Sequence, residues 1–350
     1  MSRVLVNART CGIGNAVMLT PLIELAAKSS GAPVDVLVST CPAREVFSNS
    51  PFIRQTIPYD RTARFAFVRQ YRRRYEIILS PDYGGITAIL RLLAPRELHT
   101  VAPLRLNGEP SGVFRDFSWL GDSVYQTRDD EHETLVHARV MNHELSAGHI
   151  PNPKLFVTAE ETSRARMMLS AVLPFGRVQL VAVHIGSGEQ IWKRLPEEKF
   201  VSILRELLQK SQSTHIVLVG SASERESMQC VRQATEASRV HIFQASLRDT
   251  FAAISLATAF LGNDSGLGHV AAALGLNTVI VFGPTNELRT VPVGSVSHVK
   301  TAVSCRPCYN VQGSPYRPDR CPFRLRCLTQ IEDAEVVRKV LAGLVDESHA

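Results

Sequence analysis

The sequence predicts an α/β protein of two domains, each built around a parallel sheet. Short apolar runs rich in β-branched residues recur along the chain, as at Thr278–Phe282, and such runs are typical of parallel strands covered on both faces. These runs alternate with helical patterns from one end of the chain to the other. The length of 350 residues suits two domains of common size, and the closely spaced Pro151 and Pro153 predict a boundary between residues 1–152 and 153–350.

Composition and charge narrow the class of protein. The 45% hydrophobic fraction permits two full cores, and the 21% charged fraction argues against disorder. No run of about 18 apolar residues occurs, so we expect no transmembrane helix. The start, from Met1 to Ala8, predicts a strand rather than a signal peptide, so we expect a cytoplasmic protein. The net charge of +6 suits an anionic substrate, or peripheral contact with the inner membrane face, better than nucleic acid.

The first domain begins with a βαβ unit. We expect a strand at Arg3–Val6, a glycine-bearing turn into a helix at residues 10–16, and a second strand at Val34–Val38. Gly12 and Gly14 of the turn allow a substrate to approach the backbone, or serve only tight packing. Because their spacing is not G-x-G-x-x-G and no acidic residue follows the second strand, we expect no dinucleotide site.

The rest of the first domain offers one basic stretch and one candidate carboxylate. Residues 61–74 contain six arginines, which form either a solvated helix face or a patch for an anionic acceptor or membrane surface. A strand at residues 76–80 precedes Asp82, which stands where a catalytic group or a plain N-cap would stand. Residues 131–147 predict a helix whose three histidines lack the spacing of a zinc site, so we expect no metal there.

In the second domain, polar loops follow the predicted strands. The strands are expected at residues 178–184, 215–219 and 241–243, and helices at residues 197–208 and 250–257. Because the carboxyl ends of parallel strands meet at one edge of a sheet, these loops can hold a nucleotide diphosphate. Lys193 would supply a point charge for phosphate, and the Glu224 carboxylate would accept a hydrogen bond from a ribose hydroxyl.

The candidate site of this domain is centred on residues 260–275, which are predicted to form a loop followed by a helix. Asp264 or Ser265 is the predicted N-cap, and Gly275 is predicted to end the helix. The next strand leads to Gly283-Pro284-Thr285, again at the edge where open α/β sheets bind ligands. The N–H groups and the dipole at the start of such a helix suit a phosphate, although the same residues would also make an ordinary turn.

The residues from Gly262 to Gly275 resemble the ADP-heptose:lipopolysaccharide heptosyltransferases, glycosyltransferase family 9. Phe282-Gly283-Pro284-Thr285, Trp192-Lys193-Arg194-Leu195-Pro196 and Gly12-Ile13-Gly14-Asn15 extend the resemblance. It implies a GT-B fold, in which two Rossmann-like domains face a central cleft, with the acceptor on the first domain and the donor on the second. It also implies inverting transfer of a heptose from an ADP-activated donor, without a catalytic cofactor.

The resemblance and the loop positions together give the candidate donor-site residues. By position, family donor-site residues match Lys193, Glu224, Asp264, Ser265, Gly266 and His269. The loops add Gly12, Gly14, Ser187, Arg194, Ser246, Leu247, Gly283, Pro284 and Thr285 as candidate binding residues.

The catalytic base is where the sequence departs from the family. Many members carry an aspartate at the position of Asn15, where it is thought to accept the proton of the acceptor hydroxyl. Asparagine cannot accept a proton usefully near neutral pH, although it can orient the acceptor. We therefore name Asn15, Asp82 and Lys193 as the candidate catalytic residues, with Asp82 or Asp116 as the base unless the acceptor needs little deprotonation.

Four cysteines lie in the segment 304–328 with the spacing C-x2-C-x12-C-x5-C. Cys305, Cys308, Cys321 and Cys327 suit a tetrahedral zinc or iron ion of structural role, and the alternative is four buried thiols. Disulfides are disfavoured in a reducing cytoplasm. The resemblance extends to autotransporter heptosyltransferases, which hold iron on cysteines.

Two other function classes compete with the glycosyltransferase. One is a non-catalytic sugar-nucleotide binding protein, which the loss of aspartate at Asn15 favours. The other is a GT-B sugar-nucleotide epimerase, which needs a carboxylate or histidine pair in the cleft. The acceptor is open between a glycan or lipid-linked core, a protein hydroxyl and a small molecule, and so is the oligomeric state.

Overall fold

The computed structural model divides the chain into two compact units, Met1–Phe156 and Val157–Ala350. The division lies just after the predicted boundary, and the roles expected for the two domains stay predictions. The structure describes residues 3–9, 11–102, 105–106, 109–110, 116–128, 131–171, 173, 179–236, 238–309, 314 and 316–344. Thr10 of the predicted turn, Val178 of a predicted strand, and residues 310–313 and 315 of the cysteine-bearing segment lie outside these ranges.

The first unit is built on a six-stranded parallel sheet. Its strands are β1 (Val4–Asn7), β2 (Val34–Val38), β3 (Ile53–Pro58), β4 (Ile77–Ser80), β5 (Glu97–Ala102), the short pair β6 (Arg105–Leu106) and β7 (Glu109–Pro110), and β8 (Ser123–Gln126). Its helices are α1 (Ile13–Ser30), α2 (Cys41–Phe47), α3 (Arg64–Tyr71), α4 (Ile86–Leu92) and α5 (Glu133–Arg139). The sheet order is β3-β2-β1-β4-β5-β8, and β6 pairs with β7 in a separate antiparallel ladder.

The second unit repeats this architecture. Its strands are β9 (Gln179–His184), β10 (Thr214–Val219), β11 (Val240–Phe243), β12 (Ala259–Asn263), β13 (Asn277–Phe282) and β14 (Val296–Lys300), in the order β11-β10-β9-β12-β13-β14. Its helices are α6 (Ala159–Ser170), α7 (Glu197–Lys210), α8 (Arg225–Thr235), α9 (Leu247–Ser255), α10 (Gly266–Ala273), α11 (Glu287–Thr290), α12 (Arg326–Thr329) and α13 (Asp333–Ala342). Every pairing within the two large sheets is parallel, which confirms the predicted α/β class.

Each sheet has its own core. In the first unit, Leu5, Leu37 and Ile78 from three neighbouring strands pack in one cluster with Phe67 of α3. In the second unit the corresponding cluster is larger and joins the strands to residues from α7, α8, α12 and α13. The inner strands β1, β9, β12 and β13 are buried along nearly their whole length, which is why they appear in the sequence as apolar runs without alternation. The edge strands β3, β8 and β14 are only partly buried.

Both sheets have a point where the order of connection reverses. It lies between β1 and β4 in the first unit and between β9 and β12 in the second. Loops that leave adjacent strands there turn to opposite sides of the sheet, so a crevice opens at the carboxyl ends of the strands. The candidate residues of both domains follow these strands.

Several predicted boundaries are wrong. The helix expected at residues 131–147 spans only Glu133–Arg139, and beyond it the Asn142 side chain accepts the Glu144 N–H (3.0 Å) in a turn. Helix α9 begins at Leu247 rather than residue 250. None of the helices in the described ranges combines the length and apolar character that crossing a membrane requires.

Candidate functional site

Asn263 organises the reversal point of the second sheet. It ends β12 with its side chain fully buried, and its Nδ2 donates to the Ile185 carbonyl at 2.8 Å and the Gly186 carbonyl at 3.1 Å. Its Oδ1 accepts the Leu195 N–H at 2.9 Å. A single amide therefore fixes both ends of the loop that carries Lys193. Asn263 belongs to the sequence motif, but nothing in the local sequence indicates this role.

Lys193 and Asp264 form a buried ion pair within this site. The Nζ and Oδ2 atoms lie 2.9 Å apart, and the two side chains are 14% and 6% exposed. Arg194, beside Lys193, points elsewhere: its Nη2 donates to the Gly188 carbonyl at 2.7 Å and its Nε to Ser187 Oγ at 3.4 Å. Of the two predicted cations, Arg194 shapes the loop, whereas Lys193 reaches the start of α10.

In the part of the chain that the structure describes, no side chain caps the N-terminus of α10, contrary to our prediction for Asp264 or Ser265. The Asp264 carboxylate is engaged by Lys193, and Ser265 Oγ lies 2.9 Å from Nδ1 of His184 at the end of β9. The first turn, which begins at Gly266, thus keeps backbone N–H groups and the positive end of the helix dipole for an anion. His269, one turn later, is buried.

Glu224 is a buried carboxylate on the other side of His184. Its Oε2 accepts both the backbone N–H and the hydroxyl of Ser221 at 2.8 Å and lies 3.4 Å from His184 Nε2. Burial raises the pKa of Glu224, but His184 and Ser221 lower it to about 2, so the group is ionised at neutral pH. A Cβ on Gly186 would stand 1.5 Å from Glu224 Oε1, which explains the glycine at that position.

A cavity of about 150 Å³ opens beside this carboxylate. It is lined by Ile185, Gly186, Arg194, Leu195, Pro196, Glu197, Glu224 and Ser227. The lining combines apolar side chains with the buried Glu224 carboxylate and with the polar side chains of Arg194, Glu197 and Ser227, which suits a ring bearing hydroxyl groups.

The loop Gly283–Thr285 is held from behind by the cysteine-bearing segment. Arg306, 8% exposed, donates to the Gly283 and Thr285 carbonyls at 2.9 and 3.0 Å. The Pro284 carbonyl accepts the N–H groups of Cys308 and Tyr309 at 2.9 and 3.0 Å. Thr285 Oγ1 is buried and has no hydrogen-bond partner within the described ranges, so it has a lone pair and a proton to offer a ligand.

Ser246 and Leu247 start α9, after β11. Ser246 Oγ accepts the Asp249 N–H at 3.2 Å and donates to Asp249 Oδ2 at 2.6 Å, so it serves as the helix cap. Both hydrogen bonds are local. Any contact of Ser246 or Leu247 with a ligand stays a prediction.

The first unit places a second group of polar residues at its own reversal point. Arg9, after β1, lies 3.8 Å from Asp82 Oδ2, after β4, and the other Asp82 oxygen accepts the Gly84 N–H at 2.7 Å. Burial raises the pKa of Tyr83, as do the charges of Asp82, Asp116 and Glu133. The two candidate bases therefore lie near one phenol.

The remaining candidates of the first unit lie at the start of α1. Gly12 is the N-cap residue, with extended backbone, and Gly14 and the exposed Asn15 fall in the first turn. Because α1 follows β1, this turn begins at the same edge of the sheet as Asp82.

The four cysteines are all free thiols, two buried and two half-buried. Burial, and then the neighbouring Cys305, Cys308 and Cys321, raise the pKa of Cys327 to about 11, so this thiol is protonated at neutral pH. Within the described ranges, no three His, Cys, Asp or Glu side chains are arranged to hold a metal ion. As placed, the thiols do not fit an ion, and the metal site stays a prediction.

Comparison with known proteins places the chain in a family. Residues 126–315, more than half of the chain, match glycosyltransferase family 9 (heptosyltransferase). The chain belongs to glycosyltransferase family 9. The matched segment contains the whole site around Lys193, Glu224 and Asp264, so the resemblance drawn from the sequence motifs is confirmed.

Individual relatives agree with this assignment. Lipopolysaccharide heptosyltransferase 1 of Pseudomonas aeruginosa is 30% identical over 164 residues, which span 44% of this chain and 45% of that protein. The structure of Escherichia coli ADP-heptose lipopolysaccharide heptosyltransferase II superposes with a TM-score of 0.75 at 19% identity, covering 97% of this chain and 98% of that one. The iron-containing dodecameric glycosyltransferase TibC of enterotoxigenic E. coli gives 0.59 at 13% identity, covering 98% and 76%. These superpositions confirm the GT-B fold class.

Four residues of the site were not predicted as functional: His184, Asn263, Arg306 and Tyr309. His184 had a local signal, since it ends a buried strand just before the polar loop. The others contact residues far away in the sequence, and no local pattern indicates such contacts.

Proposed function

We propose that the protein transfers a heptose, or a similar sugar, from an ADP-activated donor to an acceptor hydroxyl with inversion. The observation that carries this proposal is the Lys193–Asp264 pair beside the uncapped N-terminus of α10, at the reversal point of the second sheet. This arrangement offers a cation, open backbone N–H groups and a helix dipole to one anion.

In the proposed donor complex, the diphosphate binds at the first turn of α10 and contacts Lys193. Lysine has three N–H donors and Asp264 takes one of them, so others are left for phosphate oxygens. As the sugar leaves, negative charge builds up on the diphosphate, and a fixed ammonium group lowers the energy of that transition state. The ionised Glu224 accepts a hydrogen bond from a donor hydroxyl, and Thr285 supplies another polar contact.

For the acceptor, we propose Asp82 as the base and Asn15 as a residue that orients the acceptor hydroxyl. The Asp82 carboxylate has one oxygen fixed by the Gly84 N–H and the other beyond hydrogen-bond distance of Arg9. Asp116 is the second candidate, and its Oδ1 already accepts the Ser118 N–H at 2.8 Å. Asn15→Ala should lower the transfer rate and leave the pH profile unchanged, because an amide does not titrate.

The test of the proposed function has two steps. A thermal-shift screen of ADP, UDP, GDP and ADP-heptose should show stabilisation by the adenine nucleotides, because a ligand that binds the folded state stabilises it. Release of ADP from ADP-heptose should then require an acceptor. Binding without release in the presence of every acceptor class would indicate a binding protein, and a change of donor sugar without transfer would indicate an epimerase.

We also propose that Cys305, Cys308, Cys321 and Cys327 bind one structural zinc or iron ion. The proposal is supported by the spacing of the four cysteines in the sequence and by the iron-containing relative TibC. Elemental analysis of protein purified without chelator should find about one ion per chain. Cys305→Ser should lose it, whereas Cys230→Ser, at an exposed cysteine, should keep it. Absence of metal in the wild type would leave four packing thiols.

We propose that the protein is cytoplasmic and that its first domain, which would bind the acceptor, contacts an anionic membrane surface. The six arginines of residues 61–74 are exposed, and so is Phe65 of α3 (74%), with the Arg64 guanidinium 5.1 Å from its ring centre. Basic groups around an exposed aromatic suit anionic headgroups. Co-sedimentation should be stronger with phosphatidylglycerol vesicles than with phosphatidylcholine, and weaker in Phe65→Ser. Equal binding to both vesicles would contradict this.

A further inference from the structure

Tyr309 lies where three loops of the candidate donor site meet. Its backbone N–H donates to the Pro284 carbonyl at 3.0 Å, and its hydroxyl accepts a hydrogen bond from Gln190 Nε2 at 2.6 Å. Its ring centre is 6.0 Å from that of Trp192 and 5.1 Å from Lys193 Nζ. Tyr309 thus contacts three residues of the loop after β9 and one residue, Pro284, of the loop after β13.

The ring and Asp264 hold the same ammonium group in different ways. Asp264 accepts a hydrogen bond from Lys193 Nζ at 2.9 Å. The face of an aromatic ring attracts a cation through its quadrupole, without an oriented lone pair that would use a further N–H group. The ring can therefore fix the position of Lys193 and leave its other N–H groups to a phosphate.

The position of the ring is itself determined by the cysteine-bearing segment. Arg306, three residues before Tyr309, donates to the Gly283 and Thr285 carbonyls and forms an ion pair with the buried Glu287 at 2.9 Å. Backbone hydrogen bonds from Cys308 and Tyr309 to Pro284 continue this attachment. The segment is tied to the loop after β13 at several points, so Tyr309 has little freedom to move away from Lys193.

We propose that Tyr309 is a positioning residue that holds Lys193 for the donor diphosphate by a cation–π contact. The inference rests on the proposed function, since it assigns Lys193 to a diphosphate. Through Tyr309, the cysteine-bearing segment contributes to donor binding, because it places an aromatic face against the phosphate-binding lysine. The hydroxyl has the lesser task of fixing the ring through Gln190.

The test separates the ring face from the hydroxyl and from packing. Tyr309→Phe keeps the face and loses the Gln190 hydrogen bond, whereas Tyr309→Leu loses both. Replacing Tyr309 with difluoro- and trifluorophenylalanine removes negative charge from the face at nearly constant shape, so the series reports on the cation–π contact even where Tyr309→Leu fails to fold. Tyr316→Leu is the matched control, because Tyr316 packs on Phe323 in the same segment.

The readout is the dissociation constant of ADP by titration calorimetry, together with kcat and KM for transfer. We expect Tyr309→Leu to weaken ADP binding roughly 5–30-fold, the range of a partly desolvated cation–π contact. Tyr309→Phe should stay within about 3-fold of wild type, and affinity should fall stepwise with each added fluorine. Tyr316→Leu should bind ADP like the wild type.

A second background distinguishes positioning from a general structural role. Lys193→Met keeps a long apolar side chain against the ring and removes the charge, so in this background the Tyr309 changes should have no further effect on ADP affinity. The inference would be overturned if the Tyr309 changes lowered ADP affinity equally in the wild-type and Lys193→Met backgrounds, or if fluorination did not change the affinity. Neither result would contradict the proposed function. A wild-type protein that binds no ADP would overturn both.

Discussion

Lys193 has two roles, because it compensates the buried charge of Asp264 and is proposed to bind the diphosphate. A single substitution of Lys193 removes both. Lys193→Met removes the cation proposed to bind the diphosphate, but it also leaves Asp264 as an unpaired buried charge. We therefore consider three variants together: Lys193→Met, Asp264→Asn and the double variant. The two side chains are 14% and 6% exposed, so neither charge is well compensated by water when its partner is removed.

The expected stabilities follow from this burial. Removing one partner of a buried ion pair costs about 3–5 kcal/mol, because the other charge is left uncompensated. At the lower end, Lys193→Met should lower the Tm of the second unit by about 6–12 °C, given a shift of roughly 2–4 °C per kcal/mol for a domain of this size. The double variant has no buried charge at this position, so most of the lost stability should return.

Activity should behave differently from stability. Lys193→Met should lower kcat about 10²–10³-fold, as expected when an electrostatic contact to the transition state is lost. The double variant should remain equally slow, although it regains most of the lost stability. Differential scanning calorimetry and single-turnover transfer from ADP-heptose measure the two quantities. Recovery of activity in the double variant would refute the reasoning, because it would show that Lys193 only neutralises Asp264.

Three further predictions concern neighbouring residues. Burial raises the pKa of Glu287, but Lys300 and Arg306 lower it to about 2, and Glu224 has a similar value, so both carboxylates stabilise the fold above their ordinary pKa of 4.5. As the pH falls from about 4.5 to 2 this stabilisation should be lost, by about 3 kcal/mol for each group, in urea melts recorded across that range. Gly186→Ala should lower both Tm and ADP affinity because its Cβ would displace Glu224, whereas Gly148→Ala, which has open space, should change neither in the same assays. Asp82→Asn should abolish transfer and keep ADP binding, as kinetics and calorimetry would show; full activity would move the role of base to Asp116.

Much of the fold was predictable because burial on both faces makes parallel strands conspicuous in sequence. The strands β2, β10 and β13 were located to within about a residue, and their loops were placed at the carboxyl edge from the rule for parallel sheets alone. Helix ends were harder, as the stretch after Glu133 shows. There an Asx turn at Asn142 interrupts a run whose helical periodicity continues in the sequence.

The sequence predicts which residues belong to the site better than it predicts which of them contact one another. Lys193 and Asp264 were both candidates, but a separation of 71 residues gives no signal that they form a pair. The same holds for Tyr309 and Lys193. The N-cap prediction failed for a related reason, since Ser265 has the right residue type and position, but His184, from another strand, takes its hydroxyl.

Each reversal point has a basic residue close to an aspartate, but the distance between the charged atoms differs between the two pairs. Lys193 and Asp264 lie at hydrogen-bond distance, so the carboxylate is committed to its partner. Arg9 and Asp82 lie 3.8 Å apart, which is too long for a hydrogen bond, and Asp82 is 16% exposed. A general base needs a carboxylate oxygen that a substrate proton can reach. Asp82 meets this requirement and Asp264 does not, which supports our proposal that the first unit supplies the base, whereas Asp264 compensates the charge of Lys193.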